Sequence, residues 1–528
     1  MRLLPMRIRR PQSLFVPAGA ALGIAILIAG CGTEYRPVVT PINPSGPPAQ
    51  PSSFAAVVSA PSPMSAGIAT IIDYSGDAVM AQSPIGPGPI SFTVDETGST
   101  GYTYNSDGTL TNFQISTQLQ YKNLQYSTLV SGTNPLNLFS PSAGLWVADF
   151  GSNGSVADIL TGYPETFKLA VPVASTPVTV IGSPLIGQHN YVLSQVIDAN
   201  GTDCNTSPAA VALNGVVTPI ETSGNTPDAP IGLDPSNPSN SAAGSMNARC
   251  PVYGVLSSDG RRLFVMNRGS DTVSVINVQN NTLDQCTPFV DQTGQLVTCH
   301  PLLPLSTTAV AASGITPPNG VAGMGTVAGP VYAEYNQATQ QLVVANYDGG
   351  SISVIDVSLD QYGNDAPTFG TTYTIPVGDT TTPYPASVTV LNDGSRAYTA
   401  NQGDGKNNGT VTIVNLSSHS AEKTLPVTGH PRTVVSTQNS LYGKVYVASP
   451  DSPYLTILRT DLDIVDTTIL IQGNIVDVRV STQNGSNGNI INTSRIPGYG
   501  QPCDLPPNSA KAPAAFTLTW CQTQPASN

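Results

Sequence analysis

Charge is scarce in this chain. Only 10% of its 528 residues are charged, where an average domain carries roughly 25%. The few charges lean acidic, with 33 acidic against 20 basic side chains and no basic cluster. That field argues against binding DNA or RNA phosphates, so nucleic acid is not an expected partner. Histidine is rarer still, with four copies at His189, His300, His419 and His430. A Gly-rich phosphate loop, a Gly-x-Ser-x-Gly elbow and a His-Glu-x-x-His helix are all missing. No residue is therefore assigned as catalytic, and an enzyme is the less favoured expectation. No cysteine pair has the two-residue spacing of zinc or haem motifs, so neither a metal nor a cofactor is expected. Helical apolar spacing is absent after residue 30.

What is there is repetition. Arg262-Leu-Phe-Val-Met-Asn267 followed by Thr272-Val-Ser-Val-Ile276 returns as Gln341-Leu-Val-Val-Ala-Asn346 and Ser351-Ile-Ser-Val-Ile355. A third copy runs from Arg396 to Asn401 and from Thr410 to Val414. A Pro precedes each such run by about twelve residues, at Pro89, Pro135, Pro177, Pro251, Pro330, Pro385 and Pro431. Pro lacks an N–H donor and suits the entry to a strand. Between Pro and run come turns such as Ser258-Asp-Gly260 and Asn392-Asp-Gly394, where Gly supplies the positive φ of a tight hairpin. Each unit reads as four short antiparallel strands, which repeated radially make an all-β propeller. Two β-sandwiches are the competing fold.

Seven units are complete. Residues 67–82 read as the last two strands of an eighth, and residues 474–493 as its first two. Joined, they close the ring with a blade shared between the two ends and hide two sheet edges. Eight blades follow, with seven as the alternative. Extra length around Asp198–Asn247 and Asn280–Pro317 is rich in Ser, Asn, Pro and Gly and reads as surface insertions.

The phrases Leu263-Phe-Val-Met-Asn267, Leu342-Val-Val-Ala-Asn346 and Val445-Tyr-Val-Ala448, with the loop Val427-Thr-Gly-His-Pro-Arg-Thr-Val-Val435, resemble the repeat of the YVTN family of β-propellers. The resemblance covers roughly residues 67–500 and is best between 250 and 460. Known members are commonly seven-bladed. The motif implies blade packing and says little of function.

The chain opens with Arg2, Arg7, Arg9 and Arg10, an apolar run from Leu14 to Ile28, and Ala29-Gly-Cys31. Basic head, apolar segment and small exit residues form a secretion signal over residues 1–30. Cys31 after small residues resembles a bacterial lipoprotein cleavage site, which implies lipidation of Cys31 and attachment to a membrane. Gly32 after it leans toward the outer membrane by the sorting pattern of such lipoproteins. An uncleaved membrane anchor is the alternative. Loss of those four arginines would shift the net charge from −13 to about −17. Residues 31–66, rich in Pro, read as an extended linker, residues 67–500 as the propeller, and residues 501–528 as a C-terminal tail.

Six cysteines remain once Cys31 is set aside. They fall into the local pairs Cys204 with Cys250, Cys286 with Cys299, and Cys503 with Cys521, which an oxidising compartment would make into disulfides. Fifteen pairings are possible in principle, and sequence neighbours are favoured because each pair lies within one insertion or the tail.

Candidate ligand-binding residues are few. His430 and Arg432 sit in a loop leading to an innermost strand and could carry an anion or acid–base site. Arg268, Asp348 and Asn401, with Asn267, Asn346 and Asp404, occupy equivalent turns in three blades and could line one face of the ring, or simply form their turns. Asp461, Asp463 and Asp466 lack the Gly and Glu of a calcium loop. The leading expectation is a membrane-tethered monomer whose propeller binds a protein, peptide or glycan of the bacterial envelope, with loops carrying the function. The alternatives are a lactonase-like or other propeller enzyme with a site at the central channel, and a purely structural component.

Overall fold

A computed structural model describes residues 54–481, apart from the loop stretches 96–97, 116–121, 127–134, 140–143, 150–153, 161–165, 183–188, 197–203, 205–210, 292–293, 306–327, 380–383, 404–406 and 438–440 and isolated positions. The expected lipidation site Cys31 and the pair Cys503 and Cys521 lie outside them, as do Asp404 and residues 484–493.

Eight small antiparallel sheets form a ring, an eight-bladed β-propeller. The inner strands in chain order are Pro89–Val94, Pro135–Phe139, Pro177–Ile181, Pro251–Leu256, Pro330–Asn336, Pro385–Val390, Thr433–Ser436 and Asn474–Val480, and they number blades 1 to 8. Each touches the next, and the strand of blade 8 touches that of blade 1. The unit around Tyr191 is a full blade.

The repeated signals have local causes. In blades 1 to 6 the pairing register shifts between the entry Pro and the residue two places on, as at Pro251/Tyr253 and Pro330/Tyr332. The Pro thus enters its strand through a bulge, where a missing ladder donor costs least. Gly260 and Gly394 take φ of 65° and 67° and donate back to Ser257 and Leu391, closing the Asp-Gly turns.

Closure differs from the expected two-plus-two arrangement. Blade 8 is built from Asn474–Val480 as inner strand, then Phe54–Ala60, Ala66–Asp73 and Ala78–Pro87. Its second strand thus comes from the stretch 31–66 expected to be Pro-rich linker. Phe54-Ala-Ala-Val-Val-Ser-Ala60 is buried throughout, and it pairs Val57 with Val478 and Ala55 with Val480. Three strands from one end and one from the other lock the ring.

The apolar interior is a series of layers between blades. Tyr446, Leu455 and Ile457 of blade 7 pack with Ala55, Val57 and Val478 of blade 8. Ala56, Val58 and Ile71 of blade 8 pack with Phe92 and Phe113 of blade 1. Trp146 and Val156 of blade 2 meet Val180 and Val192 of blade 3. Each fully buried Val, Leu or Phe contributes about 1.5–3 kcal/mol. Burial falls outward: Pro385–Val390 is buried along its length, whereas the outer strand Ser420–Pro426 is almost wholly exposed.

The two insertions break outer strands. Blade 3 ends in the fragments Thr226–Pro227 and Ile231–Gly232, and blade 4 in Thr282–Leu283 and Leu302–Pro304. Between the latter two lies a separate hairpin, Phe289–Val290 paired with Leu296–Val297. Disulfides join Cys204 to Cys250 and Cys286 to Cys299.

Candidate functional site

The asparagines of the repeated phrase are clamps. Asn401 Nδ2 donates to the hydroxyls of Thr410 and Thr412 at 3.2 and 2.9 Å. Asn346 does the same to Ser351 and Ser353 at 3.2 and 2.8 Å, and Asn267 to Thr272 and Ser274 at 3.2 and 2.8 Å. Asn105 repeats it in blade 1 with Thr109 and Thr111. Each ties the end of the second strand to the start of the third. All four are fully buried, so the amide replaces water for hydroxyls that would otherwise be stranded.

Arg268 and Asp348 meet across the boundary of blades 4 and 5. The guanidinium donates from Nε and Nη2 to the two carboxylate oxygens at 2.8 and 2.9 Å. The Arg268 side chain is 1% exposed and lies 5.5 Å over the Tyr347 ring. Tyr347 in turn donates its hydroxyl to Gln402 of blade 6 at 3.0 Å. Burial pushes the Tyr347 hydroxyl well up, so it remains a donor. A chain of buried polar contacts thus runs through blades 4, 5 and 6 at the end where the entry prolines lie.

His430 is held by Asp451. The carboxylate accepts from the His430 backbone N–H at 2.8 Å and contacts its Nδ1. Burial alone would raise the Asp451 carboxyl, but the bonds from His430 outweigh it and hold it below the ordinary value. Gly429 takes φ of 72°, and a Cβ there would fall 2.7 Å from Asp451 Oδ1. Arg432 is buried; its N–H donates to Ala448 and its carbonyl accepts from Ser387 of blade 6 at 2.7 Å. Of the sequence candidates, then, the fold pairs Arg268 with Asp348, gives His430 to Asp451, and leaves Asn401 within its own blade. Asp461 pairs with Arg459, and Asp463 accepts from Tyr398 and Arg396.

A second set of polar residues, not among the sequence candidates, lies on the inner strands. Glu334 Oε2 accepts from Val390 N–H at 2.8 Å, from blade 5 to blade 6. Ser387 and Thr389 link blade 6 to blade 7 through Val434 and Ser436. Thr433 donates to Asp477 of blade 8 at 2.8 Å, and Arg479 Nη2 donates to the Phe92 carbonyl of blade 1 at 3.1 Å. Arg479 also pairs with Asp477 at 3.2 Å. Tyr253 and Tyr332 stack at 4.5 Å between blades 4 and 5. Burial pushes the Tyr253 hydroxyl well up, Tyr332 and Glu334 add to this, and Arg479 opposes it. The available signal was Asn474-Ile-Val-Asp-Val-Arg-Val480: two charges alternating with Val in an inner strand of a chain poor in charge.

A group of exposed apolar side chains lies elsewhere. The hairpin inserted into blade 4 leaves Phe289, Val290 and Leu296 exposed by 44%, 64% and 61%, while Val297 beneath is buried. The Cys286–Cys299 bridge joins its two legs. Its turn is fixed by Asp291, whose carboxylate accepts from Gln295 N–H at 2.8 Å, and by Gly294 at φ of 84°.

No protein-family model matches the chain, and no curated protein matches its sequence. Solved structures match its shape. A dihydro-heme d1 dehydrogenase, NirN, is 14% identical with a TM-score of 0.51, over 84% of this chain and 78% of that one. The apo form of AztD from Citrobacter koseri is 12% identical with a TM-score of 0.48, over 81% and 97%. A candidate 6-phosphogluconolactonase from Bacteroides fragilis is 13% identical with a TM-score of 0.47, over 82% and 99%. At such identity the likeness concerns the propeller fold, which hosts unrelated activities.

Proposed function

We propose that this protein is a lipid-anchored component of a bacterial envelope whose propeller is a rigid, non-enzymatic platform for a protein or peptide partner. The observation that carries the reading is the stapled hairpin of blade 4, which holds three large apolar side chains out to solvent on a braced support. Exposed Val290 and Leu296 stand directly opposite each other in the hairpin, adjoining exposed apolar groups mark contact sites, and an apolar surface suits a protein or peptide better than a glycan. The commitment of Arg268, Asp348, His430 and the inner-strand polar groups to bonds within the ring supports the same reading, since it makes the scaffold stiff. In this reading the lipid on Cys31 attaches the chain to the outer membrane. The acidic balance disfavours direct adhesion to anionic lipid.

The test is photo-crosslinking in intact cells from a probe placed at Val290, with a second probe at exposed Leu462 as control. The expected result is one discrete adduct at Val290 that is lost with Phe289→Ser and Leu296→Ser. Equal labelling from both positions, or turnover of lactones by the purified mature chain at enzymatic rates, would refute the proposal.

A further inference from the structure

Both legs of the stapled hairpin end in one buried charge cluster. Asp284 opens the arm and His300 closes it, just outside the Cys286–Cys299 bridge. Arg262, in the second strand of blade 4, places Nη2 3.3 Å from Asp284 Oδ1 and 3.1 Å from Asp365 Oδ1. The same nitrogen donates to the Gly363 carbonyl at 3.2 Å. Asp365 belongs to the loop between the third and fourth strands of blade 5. Its Oδ2 accepts from the His300 N–H at 3.1 Å and lies 2.8 Å from His300 Nδ1. The His300 ring stacks on Phe369 of blade 5 at 5.3 Å. Asp365, Asp284 and Arg262 have side chains 0%, 3% and 4% exposed, and His300 33%.

Count the charges. One guanidinium faces two carboxylates, so with His300 neutral the buried cluster carries one net negative charge. Buried charge is tolerated when balanced and costly when not. Adding one proton at Asp284 balances it. The other nearby charges do not supply the missing positive charge. Arg261, against Gly363, faces Asp259 at 3.8 Å and is 39% exposed. Asp360 accepts from N–H groups of its own loop. Asn277 contributes only a long 3.5 Å contact to Asp284.

We propose that the Arg262–Asp284–Asp365–His300 cluster is a proton-operated latch: uptake of one proton tightens the blade 4 arm onto blade 5, and its loss near and above neutral pH loosens it. The Asp284 carboxyl is pushed up to about 6, by burial first and by Asp365, against the pull of Arg262. Because the folded state holds its proton more tightly than the unfolded chain, attachment strengthens as pH falls through that value. The latch concerns how the arm is held, and it stands whether or not the arm meets a partner.

Hydrogen exchange of the full mature chain, with its disulfides intact and intrinsic rates corrected, tests this directly. From pH 8 to pH 5, amides of residues 284–305 should gain about tenfold protection, the ratio set by the one pH unit that separates the raised Asp284 value of about 6 from pH 5. Amides of the outer strand Ser420–Pro426 should not follow. Asp284→Asn should be protected at both pH values, and Asp284→Asn with His300→Gln should show no pH dependence. A flat wild-type profile would overturn the latch without requiring any variant to fold. An unchanged profile in the double variant would overturn it equally.

Discussion

Replacing Arg268 by Ala separates a ligand contact from a brace. The guanidinium is 1% exposed, makes two bonds to Asp348, and covers the Tyr347 ring. Its removal leaves the Asp348 carboxylate, 11% exposed, without its bidentate partner. Breaking a buried ion pair from one side costs about 3–5 kcal/mol. Loss of the guanidinium's contact with the Tyr347 ring adds roughly 1 kcal/mol. The pair Arg268→Met with Asp348→Leu removes both charges and restores apolar volume, so it should recover most of that loss. Urea unfolding, with midpoint and slope both measured, gives the cycle. A loss under about 1 kcal/mol in Arg268→Ala, or a double variant no better than the single, would refute the bracing role.

Asn346→Ala should cost about 2 kcal/mol in the same assay, one for each bond to Ser351 and Ser353. Asp451 is held below its ordinary value of 3.8 when folded, so its stabilising share is complete above that range and vanishes as pH falls through the lowered value. The stability gap between the wild type and Asp451→Asn should therefore close between about pH 5 and pH 2. The Cys204–Cys250 and Cys286–Cys299 bridges close spans of 46 and 13 residues, so chain entropy ranks their removal at about 4 and 3 kcal/mol. Deleting residues 54–60 should open the ring, seen as a larger hydrodynamic radius by size exclusion.

The fold was legible because its signals are local and recur. An entry Pro, an Asp-Gly turn and a terminal Asn each meet a need of a single blade, so seven copies advertise the plan. Phe54–Ala60 escaped for the opposite reason. It carries neither Pro nor Asp-Gly, sits among small residues beside a Pro-rich stretch, and is a strand only because Asn474–Val480 lies beside it. The polar residues divide in the same way. Arg268 and Asp348 were visible as equivalent turn residues, yet their pairing is 80 residues long and belongs to the ring. Asp477 and Arg479 gain their inter-blade partners, Thr433 and the Phe92 carbonyl, only when the neighbouring blades dock. Asp284, His300 and Asp365 are brought together by an insertion folding back on the neighbouring blade. Nothing in their spacing announces it.

The three-plus-one seam also sets a timetable. Ser481 returns to Phe54 across 427 positions. At a synthesis rate of about 5–20 residues per second, the early strand waits roughly 20–90 s for its mate. During that interval its unpaired ladder groups and apolar side chains are open to any passing segment. A chain stalled or truncated before residue 474 would keep that wound open indefinitely, which makes late truncations of this protein more aggregation-prone than their small size suggests.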